Sequence, residues 1–216
     1  MREGAFGGGA ARRPTRRRSR AGAALLLMLA WAALLWLLEA VNGPRATLAR
    51  EYGIEPRQAD EFADIVPAAF LHFGFDHVMA NTVPLVIFGF LAAVRGILRF
   101  LGVALLVILV SGLGVWLTAP PGSITAGASG LVFGLFGYLL VRGFVERDAL
   151  DITVGVMVLL LYGSILWGVL PTTAGVSWQG HLFGLVGGVL AAFWFRRSPR
   201  RRRRPEPPPP GLAPWR

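Results

Sequence analysis

Thr125-Ala126-Gly127-Ala128-Ser129-Gly130-Leu131-Val132-Phe133-Gly134-Leu135-Phe136-Gly137 places one hydroxyl among small residues at the head of an apolar run. The run continues to about residue 145 and reads as a membrane helix. Gly130, Gly134 and Gly137 recur at helical spacing, so one face of that helix carries no side chains and can accept a close neighbour. A lone membrane serine most often bonds the carbonyl one turn back. The glycines on either side of Ser129 allow a second reading, in which a hydroxyl and bare backbone amides are presented to a ligand.

The composition supports a membrane setting. Of 216 residues, 54% are apolar and only 16% charged, against about 25% charged in soluble domains. Apolar runs cover residues 21–41, 75–94, 100–117, 128–145, 152–170 and 179–195, each near the ~20 residues that cross a bilayer. The first follows a basic segment, but it is too long for a signal-peptide core and no small-residue cleavage site follows it cleanly. The expected fold is an all-α membrane protein with six transmembrane helices in residues 21–196. A disordered basic tail (1–20) precedes it and a basic, Pro-rich tail (197–216) follows, both cytoplasmic. No length is left for a second folded domain.

The net charge of +10 comes from 22 basic residues, all Arg, of which 15 lie in residues 1–20 and 196–216. No folded basic face accompanies them, so nucleic acid is not an expected partner. They read as topology signals and contacts to membrane lipid. Six spans put both termini on one side. The two tails, the Arg95/Arg99 turn and the Arg142/Arg147 turn then carry 19 of the 22 arginines. The opposite side receives an acidic loop (42–70) and two uncharged ones (118–127 and 171–178). The positive-inside rule therefore predicts a multi-pass protein of the cell membrane with both termini cytoplasmic. In the acidic loop, Phe62, Ile65, Val66 and Phe70 are candidates for the membrane interface, as is His72 beyond it.

The chain has no Cys, which excludes disulfides, thiolate metal sites and a cysteine nucleophile. With only His72, His77 and His181, a zinc site would need intramembrane carboxylates; no metal and no cofactor is expected.

Polar side chains inside spans are costly and mark candidate function. They are His77 and Asn81 in the second span, Ser129 in the fourth and His181 in the sixth. The topology sets all four near the non-cytoplasmic ends of their helices. Gly184 and Gly188 share the face of His181, matching the glycine face of the fourth span and bringing a base toward Ser129. Gly127 and Gly130 let the backbone beside Ser129 approach a substrate, and a helix N-terminus offers unpaired N–H groups to an oxyanion. His77 and Asn81, one turn apart, suit either a helix-bridging polar pair or two donors to developing negative charge. A metal reading of the pair lacks a third ligand.

Together these residues resemble the rhomboid family of intramembrane serine proteases. His77-Val78-Met79-Ala80-Asn81 looks like the family's His-x-x-x-Asn segment. Gly127-Ala128-Ser129-Gly130 looks like its Gly-x-Ser-Gly motif. His181-Leu182-Phe183-Gly184-Leu185-Val186-Gly187-Gly188 looks like its His-x-x-Gly-x-x-x-Gly segment. The resemblance covers about residues 21–196 and implies a rhomboid-like bundle. It implies a Ser129/His181 catalytic dyad, with His77, Asn81, Gly127 and the Ser129 amide on the oxyanion side, acting on transmembrane protein substrates. It is silent on oligomeric state. Phe133 stands where many members carry Tyr, and packing of its ring on His181 is expected to survive. Glu61-Phe62-Ala63-Asp64 lacks the Trp-Arg signature common in the first loop. Two competing readings are an inactive member that binds membrane clients and a small transporter. The presence of both Ser129 and His181 argues against the first. The second calls for mid-span charges and repeated halves, which the sequence does not display.

Overall fold

The computed structural model describes residues 15–173 and 175–196. Among the described residues eight α-helices follow one another: α1 (Thr15–Asn42), α2 (Thr47–Glu51), α3 (Ile65–Ala68), α4 (Phe75–Ala93), α5 (Ile97–Thr118), α6 (Ser129–Glu146), α7 (Ala149–Tyr162) and α8 (Trp178–Trp194). Short 3-10 helices at Asp60–Asp64 and Gly163–Val169 precede α3 and extend α7. No strand forms among the described residues; Ile54 and Thr125 make one isolated antiparallel bridge. Among the described residues five segments are long and apolar enough to cross a membrane: Arg20–Asn42, Phe75–Ala93, Ile97–Thr118, Ser129–Glu146 and Ala149–Val169. The chain is thus a multi-pass membrane protein. The stretch expected as a sixth span forms the helix α8, which is not among these five: at 17 residues it rises about 25 Å, short of the roughly 30 Å hydrocarbon core. α1 starts at Thr15, so the last residues assigned to the basic tail are helical; residues 1–14 and 197–216 of the expected tails lie outside the described residues.

α6 is the central helix. Two-thirds of it is buried (67%), against 11% of the α7 segment, and α4, α5, α7 and α8 surround it. The reason is its glycine face. A Cβ on Gly184 would overlap the Gly130 carbonyl, one on Gly188 would overlap the Gly134 carbonyl, and one on Gly134 would come 2.8 Å from the Gly184 carbonyl. Backbone therefore lies on backbone along the α6–α8 seam. On the far side, α5 fills the remaining space: Ser111 and Val107 sit where Cβ atoms of Gly130 and Gly134 would otherwise be. α1 packs on α4 with Met28 seated over Gly89.

The end of the bundle away from Ser129 is closed by ion pairs. Arg142, inside α6 and 2% exposed, donates to Asp151 (2.9 Å) and to the Leu91 carbonyl (3.1 Å). Arg95 reaches Asp148 (3.1 Å) and Asp151 (2.5 Å), and Arg99 pairs with Glu146. Asp148 also caps α7 by accepting from the Asp151 N–H, as Ser177 caps α8 by accepting from the Gly180 N–H. Three of the arginines assigned to cytoplasmic turns are thus paired with carboxylates.

Gly188→Ala and Gly184→Ala each drive a methyl group into a carbonyl. Both are expected to cost about 1–3 kcal/mol and to lower the thermal midpoint in detergent. Gly22→Ala, with nothing within 4 Å of the new carbon, leaves the midpoint unchanged. Asp151→Ala strands the buried Arg142 guanidinium at a cost of about 3–5 kcal/mol. Its midpoint should fall well below that of Asp148→Ala, whose side chain is one-third exposed.

Candidate active site

α4, α6 and α8 all begin at the same end of the bundle, and between their first turns lies a cavity of about 950 Å³. Its wall includes His77, Asn81, Gly127, Ser129, Phe133 and His181. The residues expected to carry chemistry are therefore brought onto one space.

Ser129 is the first residue of α6. The N–H groups of Ser129, Gly130 and Leu131 have no carbonyl one turn back within the helix, whereas the Val132 N–H already bonds Ala128. The hydroxyl thus sits beside the positive end of the most buried helix. Its backbone is set by the turn before it. Gly127 has φ +148°, a conformation costly for any side chain. A Cβ there would also approach His77 Cε1 and Nε2 at 2.9 and 3.0 Å. The Gly127 N–H, however, donates to the Ala68 carbonyl at 2.8 Å. That bond fixes the turn, so in this structure the Gly127 N–H is engaged and the residue supplies conformation and room.

His77 accepts at Nδ1 from the Phe73 N–H over 3.4 Å. In the neutral ring the proton then rests on Nε2, which borders the space above Gly127. Asn81, one turn later and 6% exposed, donates one amide proton to the His77 carbonyl (3.1 Å) and keeps its second. His181, 7% exposed, is clamped twice. Its ring stacks on Phe133 with centroids 4.0 Å apart and planes 6° from parallel, so the expected ring contact survives without the hydroxyl. Its Nδ1 lies 2.8 Å from the Gly168 carbonyl. A carbonyl only accepts, so the neutral imidazole is protonated at Nδ1 and its Nε2 lone pair is free to take a proton.

Three contributors were not singled out from sequence. Gly168 has no motif to mark it. Ser111 donates to the Gly180 carbonyl (2.8 Å) and braces the first turn of α8 from α5. His72, expected at the interface, is fully buried. Its Nε2 accepts from the Ala128 N–H (3.3 Å), and its ring meets His77 edge-on at 5.0 Å. Its own carbonyl accepts from Asn42 (2.7 Å), which also donates to the buried Glu39. Asn42 and Glu39, read in the sequence only as the stop of the first span, thus link the end of α1 to the turn before Ser129. The loop without the Trp-Arg signature is held by other means. Arg57 donates to the Leu117 and Ala119 carbonyls, and Phe62 packs edge-on against Trp116. Of the interface candidates, Phe62 and Val66 are exposed, while Ile65 is buried against Gly112.

Residues 59–198 match the Rhomboid domain family. An uncharacterized protein of Mycobacterium tuberculosis is 40% identical over 174 residues, 77% of this chain and 72% of that protein. An uncharacterized protein of Mycobacterium leprae is 40% identical over 77% of this chain and 69% of its own length. A Bacillus subtilis protein named "Putative rhomboid protease YdcA" is 29% identical over 77% of this chain and 85% of its own length.

Burial, and next the charge of His77, hold His72 down to a pKa of about 3 from the usual 6.5, while the Phe70 backbone, as an acceptor toward the ring, pulls the other way. The unfolded chain binds a proton on this ring below about pH 6.5; the folded chain does so only near 3. The stability His72 contributes is therefore full above pH 6.5 and lost as pH falls toward 3. The thermal midpoint of the wild type should drop between pH 6.5 and 4. His72→Gln, which retains an acceptor for the Ala128 N–H, should show a shallower drop.

Proposed function

The chain belongs to the rhomboid family, and on that premise we propose that it is an intramembrane serine endopeptidase that cleaves transmembrane segments of membrane proteins. The observation that carries the reading is the state of His181: buried beside the cavity that Ser129 also lines, with Nδ1 engaged and Nε2 free.

In the proposed reaction His181 Nε2 takes the Ser129 hydroxyl proton as Oγ bonds the scissile carbonyl carbon. The carbonyl electron pair moves to oxygen, and the resulting oxyanion is met by the Ser129 N–H, the His77 Nε2–H and the free Asn81 N–H. Collapse breaks the C–N bond, His181 returns the proton to the leaving amine, and water then hydrolyses the acyl-enzyme by the same route in reverse. The bundle supports such chemistry because the polar side chains gather on one cavity at the N-terminal end of α6, while two-thirds of that helix is buried. α8 serves as the sixth span. The Arg-rich segments lie in the cytoplasm and contact anionic lipid, so the site sits toward the outer face of the cell membrane.

Ser129→Ala is expected to abolish cleavage of a model transmembrane substrate in proteoliposomes; unchanged cleavage would end this assignment. A serine-directed fluorophosphonate should label the wild type and fail to label His181→Ala, which separates a protease from a client-binding relative. Asn81→Ala should keep some labelling but lose on the order of a hundredfold in kcat.

A further inference from the structure

Resting on that reading, we infer that the main-chain carbonyl of Gly168 is the positioning group of the base, in the place that a carboxylate holds in three-residue serine sites, and that the seating of α7 governs whether His181 is competent. The carbonyl belongs to the 3-10 helix Gly163–Val169, which continues α7 to the cavity end of the bundle. The last carbonyls of a helix lack partners within it. The Leu170 N–H goes back to Trp167, and the Gly168 carbonyl turns to His181 Nδ1 at 2.8 Å. Gly168 is not among the residues with positive φ, so conformation does not call for glycine there. Space does: a Cβ would lie 2.8 Å from Phe133 Cζ and 3.1 Å from His181 Nδ1. A side chain at 168 would thus wedge apart the ring, its stacking partner and its acceptor.

The bond has two effects on the reaction. Before proton transfer it selects the tautomer whose Nε2 can act as base. After transfer the ring is cationic, and the Nδ1–H···O=C bond becomes charge-assisted and shorter. Both effects depend on an element outside α6 and α8. α7 is the least buried span at 11%. It rests on α6 through Gly155, whose Cβ would come 2.9 Å from the Leu139 carbonyl, and through Asp151 bound to Arg142. Displacing the cavity end of α7 would withdraw the carbonyl while Ser129 and His181 stay on their own helices.

The chain has three histidines, so 15N-histidine labelling in micelles resolves each ring, with His181→Ala assigning the signal. The wild type should show a protonated Nδ1 and an unprotonated Nε2 at His181. Replacing Val169 by its α-hydroxy acid turns the 168–169 amide into an ester, whose carbonyl is a weaker acceptor, and adds no bulk. This variant should lose about tenfold in kcat with KM unchanged, and its His181 shifts should move toward a tautomer mixture. Gly168→Ala should lose more. Gly163→Ala in the same 3-10 helix, whose Cβ meets only Leu159 Cδ1 at 3.5 Å, should match the wild type in both readouts. If Gly168→Ala does not fold, the ester variant carries the test alone. Full kcat and unmoved shifts in the ester variant overturn the Gly168 assignment and leave the protease reading standing. A wild type that cleaves nothing overturns the protease reading, and a wild-type His181 protonated at Nε2 overturns the Gly168 assignment whatever the activity.

Discussion

The structure depends on one steric fact: α6 and α8 touch through their backbones. Gly130 and Gly134 on one helix meet Gly184 and Gly188 on the other, with carbonyls where Cβ atoms would be. In a bilayer no hydrophobic force drives helices together, because lipid tails are as apolar as leucine. Close backbone contact substitutes dispersion and weak Cα–H···O bonds for that force. Contact at this distance also sets the site. Ser129 is one residue before Gly130, and His181 is one helical turn before Gly184. The seam that holds the two helices together thus holds their first turns in register.

The two ends of the bundle handle polarity in opposite ways. At one end Arg142, Arg95 and Asp151 form charged pairs, of which Arg142–Asp151 has almost no exposure. Such pairs contribute little net stability, yet breaking one is expensive, so they fix which turns meet. At the other end the bonds around Ser129 run between backbone groups, imidazoles and an amide: Ala128 to His72, Phe73 to His77, Asn81 to its own helix, His181 to Gly168, with the buried Glu39 carboxylate joined to them only through Asn42. The cluster of arginines and carboxylates pins α6 and α7 without placing a charge near Ser129.

Much of this is legible in the chain. The bare face of α6 and its mate on α8 are readable because glycine spacing directly encodes helix approach, and the helix ends fall close to the expected ones because Pro120-Pro121-Gly122 and the charged turns interrupt apolar runs. Convergence of His77, Asn81, Ser129 and His181 follows from helix direction alone. What stays hidden depends on backbone atoms, which every residue possesses. The Gly168 carbonyl and the Ala68 carbonyl that occupies the Gly127 N–H have no side-chain signature. His72 looked interfacial because its burial comes from the loop folding back under α1, through Asn42 and Glu39, a contact between residues about 30 positions apart. The ion pairs were likewise obscured, because counting arginines for topology leaves out which carboxylates face them.

A base held by a carbonyl suits this location on energetic grounds. A carboxylate beside a buried imidazole would have to be ionised in a low-dielectric site. The desolvation cost of such a group runs to several kcal/mol and is offset only by good pairing. A carbonyl dipole costs far less to bury, since its polar surface is already balanced by peptide geometry and one good donor. It fixes the same tautomer, and the phenyl ring of Phe133 fixes the ring plane without a polar atom. What a carbonyl gives up is the full negative charge that would stabilise imidazolium. In the proposed reaction the histidine must part with its proton again at each step, and weaker stabilisation would keep it an effective acid as well as a base. The neutral architecture therefore serves both the membrane, which penalises charge, and the proposed two-step proton traffic through His181.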